Sequence, residues 1–146
     1  MLPPQCGEAG WNDKVAFLFD ASAVINMIMQ QGSEALTSAR NNFALELTGY
    51  EAGNAVWRLC LLEKKIARED ASSLINTTGL FLSHLGRVTF GELNAGRILD
   101  IAFSERGTFY DASYITAAET KKLTLVTDDR HLLKVASKYV PTQRFV

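Results

Sequence analysis

The chain has 146 residues and a formal net charge of −1, with 15 Lys and Arg against 16 Asp and Glu. At 47% hydrophobic and 21% charged it has ordinary globular usage, which excludes a disordered polar tail and a low-complexity chain. The near-neutral balance also excludes a broadly basic coat for nucleic acid, so any such contact has to come from a local patch or a metal site.

The length suits one domain with a real core. Residues 1–13 hold Pro3, Pro4, Gly7, Glu8, Gly10 and Asp13, without the basic start or apolar run of a signal peptide. They are expected to form a flexible extension ahead of a single domain over residues 14–146. No stretch approaches the roughly 18 apolar residues of a membrane span. Cys6 and Cys60 are the only cysteines, too few for a disulfide framework or a structural zinc site, and they suit a reducing cytoplasm.

Val15 to Phe19 is a continuous apolar run ending at Asp20, the pattern of a strand buried on both faces of a parallel sheet. A helix is predicted over Ala21 to Gln31, ended by Gly32, then a short one from Ser33 to Arg40. Asn42 to Leu47 reads as a second strand. Thr48-Gly49-Tyr50-Glu51 has the form of a capping box opening a helix that runs to about Lys65. Arg68 to Leu85 is a further helix, ended by Gly86 before a short strand over Arg87 to Phe90. Glu92 to Arg106 is helical, closed by Gly107. Thr108 caps a helix over Phe109 to Lys121, and Leu123 to Thr127 is a strand. Asp129 to Lys138 is helical, and Tyr139 and Val140 begin a last strand cut by Pro141. Alternating strands and helices predict an α/β layered fold around a mainly parallel sheet.

Parallel sheets bind ligands at the carboxyl ends of their strands, and acids stand there repeatedly. Asp20 follows the first strand, where an acid has little structural duty. Glu51 follows the second, Asp128 and Asp129 follow the strand ending at Thr127, and Asp111 starts the helix feeding that strand. Glu51 also completes the capping box, Asp111 also suits the positive end of its helix, and one of Asp128 and Asp129 also suits an N-cap. A carboxylate cluster without His or Cys suits a hard cation such as Mg²⁺ or Mn²⁺.

Four stretches together resemble the PIN-domain family: FLFDASAVINMI (Phe17 to Ile28), LTGYEAGNAVW (Leu47 to Trp57), TFYDASYITAAE (Thr108 to Glu119) and LVTDDRHLL (Leu125 to Leu133). The resemblance implies a three-layer α/β fold and a ribonuclease in which Asp20, Glu51, Asp111 and Asp129 bind Mg²⁺ or Mn²⁺. Water activated there would cleave RNA to leave a 5′-phosphate and a 3′-hydroxyl. Ser22 and Thr127 are the implied hydroxyl helpers, and Asp128 takes the variable middle position of the last motif. The small size resembles VapC-like toxins of toxin–antitoxin pairs, which implies a cytoplasmic homodimer held by a small antitoxin protein. The long lead before the first strand departs from that pattern. The competing reading within the family is a binding or scaffold module without nuclease activity.

Asn54 and Arg58 follow Glu51 at i+3 and i+7 on one helical face, and Arg130 follows the last acid, so these three are candidate RNA contacts. For Arg58 the competing reading is a pairing with an acid on a solvated face. Trp57, Phe81, Phe90 and Phe103 read as core or dimer contact, and His84 and His131 as ordinary helix residues. Other phosphate-handling folds fit less well: a dehalogenase-like phosphatase needs a second Asp where Ser22 stands, and a dinucleotide binder needs a Gly-rich turn after strand one. Residues 1–73 hold 6 basic and 9 acidic side chains and residues 74–146 hold 9 and 7, so neutrality conceals an acidic first half and a basic second half.

Overall fold

The computed structural model describes residues 15–146; the expected extension over residues 1–13, with Cys6, lies outside them. Among the described residues five parallel strands form one sheet in the order β3-β2-β1-β4-β5. β1 is Phe17–Phe19, β2 Phe43–Leu45, β3 Gly86–Val88, β4 Thr124–Val126 and β5 Thr142–Gln143. Six α-helices of the described residues surround it: α1 (Ala21–Gln31), α2 (Glu46–Trp57), α3 (Arg68–Ser83), α4 (Ala95–Glu105), α5 (Phe109–Lys121) and α6 (Arg130–Ala136). The chain is thus the three-layer α/β fold expected. No helix among the described residues is long and apolar enough to cross a membrane.

The period-2 alternation of side chains divides the core between the two faces of the sheet. Phe17 and Phe19 of β1, Ala44 of β2 and Val126 of β4 pack with Val24, Met27 and Ile28 of α1 and Phe81 of α3. Leu18, Leu45, Val88 and Leu125 point the other way, onto Ile98 and Ile101 of α4, Ile115 of α5 and Leu132 of α6. In-register pairing of Leu18 with Leu125 and of Phe19 with Val126 keeps each pair on one face. A third cluster joins Ala52 and Val56 of α2 to Ile25 of α1 and to Leu74 and Ile75 of α3.

Several boundaries differ from expectation, each for a local reason. The segment after α1 is a 3₁₀ helix over Gly32–Ser38, with no side-chain cap from Ser33. α2 begins at Glu46, not Thr48: the Thr48 hydroxyl accepts the Leu45 N–H at 3.1 Å, so Glu51 lies in the second turn and does no capping. The same helix ends at Trp57 and widens into a π turn over Arg58–Leu62. Gly86 belongs to β3, paired with Phe43 of β2, and a Cβ there would stand 2.6 Å from the Phe43 ring. Glu92 closes a 3₁₀ turn on the Thr89 N–H at 2.7 Å, and Asn94 caps α4 instead, through the Arg97 N–H. Left-handed Arg106 ends α4, with the Gly107 N–H bonded to the Ala102 carbonyl. Tyr139 and Val140 finish the turn after α6, and Pro141, whose carbonyl accepts the Leu125 N–H, leads into β5 rather than cutting it.

Candidate active site

The strand order reverses at β1: the chain moves from β1 to β2 on one side and places β4 on the other. The carboxyl ends of β1 and β4 therefore flank the crevice where such sheets hold ligands. Asp20 leaves β1 there and is the N-cap of α1, accepting the Ala23 N–H at 2.9 Å on Oδ1. The acid after the first strand thus carries a structural duty as well. Ser22 Oγ donates to Oδ1 at 2.7 Å and Thr127 Oγ1 to Oδ2 at 2.5 Å. The same two hydroxyls accept from the chain after β4: Ser22 Oγ from the Asp128 N–H at 2.9 Å and Thr127 Oγ1 from the Asp129 N–H at 3.1 Å. Asp20, Ser22, Thr127 and the Asp128–Asp129 backbone thus form one interlocked unit.

The other acids arrive on helices. Asp129 is the N-cap of α6, with Oδ1 accepting the His131 and Leu132 N–H groups at 2.9 and 3.0 Å. Asp111 lies in the first turn of α5, where Thr108 caps its N–H at 3.0 Å. Its carboxylate has no hydrogen-bond partner among the described residues. Glu51 projects from α2 and accepts a hydrogen bond from Tyr114 Oη at 2.7 Å. Asp20, Glu51, Asp111 and Asp129 line one open cavity of about 690 Å³, with Ser22, Asn54 and Arg58 also on its wall.

The electrostatics of the cavity are those of crowded, uncompensated carboxylates. Burial pushes the Asp20 carboxyl up to about 6 against the lowering effect of its three hydrogen bonds, and the Asp129 charge adds to the rise. Burial likewise raises Glu51, opposed by the Tyr114 hydrogen bond and reinforced by the charges of Asp111 and Asp129. Burial and the Asp129 charge raise Asp111, with His131 opposing. None of the four acids forms a salt bridge among the described residues, where the ion pairs are Lys65–Glu63, Arg97–Glu119, Lys121–Glu92, Lys138–Glu105 and Arg144–Asp128.

The set is all oxygen and all acid, which is the donor chemistry of a hard divalent cation. Among the described residues no three Asp, Glu, His or Cys side chains stand close enough to enclose an ion as they are. Hydrogen bonds hold Asp20 and Asp129 at their helix caps and Glu51 against Tyr114 of α5, and mutual repulsion keeps the four apart. Mg²⁺ is ordinarily held by one or two carboxylates with several retained waters, so the residues present fit such an ion without a closed cage.

Asp128 also borders the cavity, but both its oxygens are taken. Oδ2 accepts from Asn26 Nδ2 at 2.7 Å, and Oδ1 accepts the N–H groups of Phe145 and Val146 at 2.8 and 3.2 Å. It ties the chain after β5 to α1 while standing on the cavity wall. Arg58 has no ion-pair partner among the described residues and stands on the cavity wall, against the pairing reading. Arg130 is not among the residues lining the cavity. Phe81 is core as expected, whereas Trp57, Phe90 and Phe103 are exposed. Sequence reasoning missed Tyr114 and Thr48. Each lies three residues from a recognised acid, Asp111 and Glu51, on the same helical face, and that spacing was the available signal.

No protein-family model matches the chain. Two curated relatives from Pyrobaculum aerophilum do. Exonuclease VapC9 is 36% identical over 120 residues, which span 82% of this chain and 84% of that protein. Ribonuclease VapC3 is 29% identical over 119 residues, spanning 77% and 88%. Among solved structures, PAE2754 from the same organism superposes with a TM-score of 0.70 at 32% identity, covering 90% of this chain and 91% of that one. With the four motifs in order around one cavity, and with identity of this extent, the chain belongs to the VapC group of PIN-domain proteins.

Proposed function

We propose that this chain is an Mg²⁺- or Mn²⁺-dependent ribonuclease that hydrolyses RNA phosphodiester bonds, acting as the toxin of a toxin–antitoxin pair. The observation that carries the reading is the convergence of Asp20, Glu51, Asp111 and Asp129 on one cavity with no cationic side chain paired to any of them among the described residues. Bringing unpaired carboxylates together raises their pKa values and costs stability, and a divalent cation reverses the sign of that effect. The names of the two relatives, an exonuclease and a ribonuclease, support nucleic acid as substrate.

Asp20 and Asp129 would hold the ion from the sheet side, and Glu51 and Asp111 from the helices across the cavity. When bound, the ion supplies neutralisation of phosphate charge and activation of water for in-line attack. Ser22 and Thr127 orient Asp20 and the backbone of Asp129, so the sheet side of the site is held in place before substrate arrives. Asn54 and Arg58, on the α2 side of the cavity, are placed to take an RNA phosphate. Exposed Trp57, Leu61 and Leu62 around the end of α2 support a protein partner, here a second copy and a small antitoxin in the cytoplasm.

One observation favours the scaffold reading instead, namely that the acids do not stand together as an ion cage. Incubation with a panel of structured RNAs in Mg²⁺, Mn²⁺ or excess chelator separates the two. The expected result is cleavage with either metal, leaving 5′-phosphate ends, and none with chelator. Cleavage that survives chelation would refute metal dependence, and an inert protein under all three conditions would favour the scaffold.

A further inference from the structure

Resting on the metal-site reading above, we propose that Tyr114 is a positioning residue for Glu51, acting through a one-way hydrogen-bond chain that starts at the end of β2. The direction of that chain follows from its chemistry. A carboxylate only accepts, so the Tyr114 hydroxyl proton goes to Glu51 Oε1, at 2.7 Å. Tyr114 Oη has no second proton, so in its 2.8 Å contact with Thr48 Oγ1 the threonine hydroxyl is the donor. Thr48 Oγ1 is in turn the acceptor of the Leu45 N–H at 3.1 Å. The order is Leu45 N–H to Thr48 to Tyr114 to Glu51, with no proton left free to reverse.

The chain is also fixed in space. Thr48 is 0% and Tyr114 1% exposed, and the tyrosine ring packs in the core between α5 and the sheet. Tyr114 lies one turn after Asp111 on α5, so one helix supplies both an acid of the site and the group that orients the acid opposite. Oε1 of Glu51 is committed to Tyr114, which leaves Oε2 for the cavity. Without the phenol, Glu51 is a flexible side chain on an open wall, repelled by Asp111 and Asp129 and free to turn to solvent.

The test is Mn²⁺ affinity of the metal-free protein, measured by titration with electron paramagnetic resonance detection, for wild type, Tyr114→Phe, Glu51→Gln and the double variant. Tyr114→Phe keeps the ring and removes only the donor. It is expected to weaken Mn²⁺ binding about ten-fold or more, the scale of losing a group that orients a metal ligand. Its kcat on RNA should fall while KM holds. In the Glu51→Gln background the same substitution should add less than about two-fold, because the group it acts through has already changed. Thr48→Val should lose affinity in the same direction and Thr48→Ser, which keeps the hydroxyl, should not.

Tyr114→Phe binding within about two-fold of wild type, or losing the same factor in both backgrounds, would overturn the proposal and leave the metal site standing. If Tyr114→Phe fails to fold, Thr48→Val decides, and unchanged affinity in that variant would overturn the proposal. A wild-type protein that binds no Mn²⁺ would overturn it together with the proposed function.

Discussion

Asp111→Asn is expected to abolish RNA cleavage, with a loss on the order of a thousand-fold or more, and to leave the fold intact. The size follows from the several kcal/mol of charge stabilisation that a metal site supplies, at about 1.4 kcal/mol for each factor of ten. Asp111 gives the cleanest separation of chemistry from structure. Its carboxylate has no hydrogen-bond partner among the described residues, and the helix cap at this position is made by its backbone N–H to Thr108. Asn keeps the shape and the cap and removes the charge. Stability in chelator at neutral pH should hold or rise, because burial and the Asp129 charge make the ionised carboxylate costly here. Wild-type cleavage by this variant, assayed beside its melting curve, would remove Asp111 from the site.

Asp20→Asn is expected to stabilise the metal-free protein at pH 7 while also abolishing cleavage. Burial places the Asp20 carboxyl near 6 in the folded chain, against 3.8 for the ordinary group. The folded state therefore holds the proton more tightly than the unfolded state. Stability from this group is fully present below about pH 4 and is lost as pH rises through 6. At pH 7 the difference amounts to about 3 kcal/mol that the charged form costs. Asn is as good an N-cap as Asp, can still accept from Ala23 and Ser22, and can donate to Thr127 Oγ1. The variant should thus exceed wild type in denaturant unfolding at pH 7 and match it near pH 3.5. Saturating Mg²⁺ should close the gap at pH 7 by stabilising wild type alone. A variant less stable than wild type at pH 7 without metal would show that the hydrogen bonds outweigh the burial of charge.

The parts of the fold most legible in the sequence were those with a strong local signal. The run ending at Phe19, the Gly32 stop after α1 and the Thr108 cap of α5 each mark an element by periodicity or capping chemistry. The acids were legible because strand ends in a parallel sheet converge on one edge, so position after a strand predicts position in space. Less legible were features decided between elements. Thr48 has the sequence of an N-cap, yet β2 runs directly into α2 and turns its hydroxyl toward Leu45 and Tyr114. Asp128 and Asp129 are adjacent and chemically alike. Both line the cavity, and only the crossing of the chain after β5 shows that Asp128 bonds Asn26 and the Phe145 and Val146 amides while Asp129 caps α6. The strand after Pro141 is hard to see in the sequence because proline lacks the N–H of a strand interior. Its carbonyl is intact, and a parallel edge needs little more to begin.

Four carboxylates from separate elements that form a divalent cation site, as proposed, should bind Mn²⁺ at equilibrium in the metal-free protein. Saturable binding by wild type, lost in Asp20→Asn and weakened in Asp111→Asn, is the result that the arrangement predicts. Absence of saturable binding, or equal binding by wild type and both variants, would contradict it.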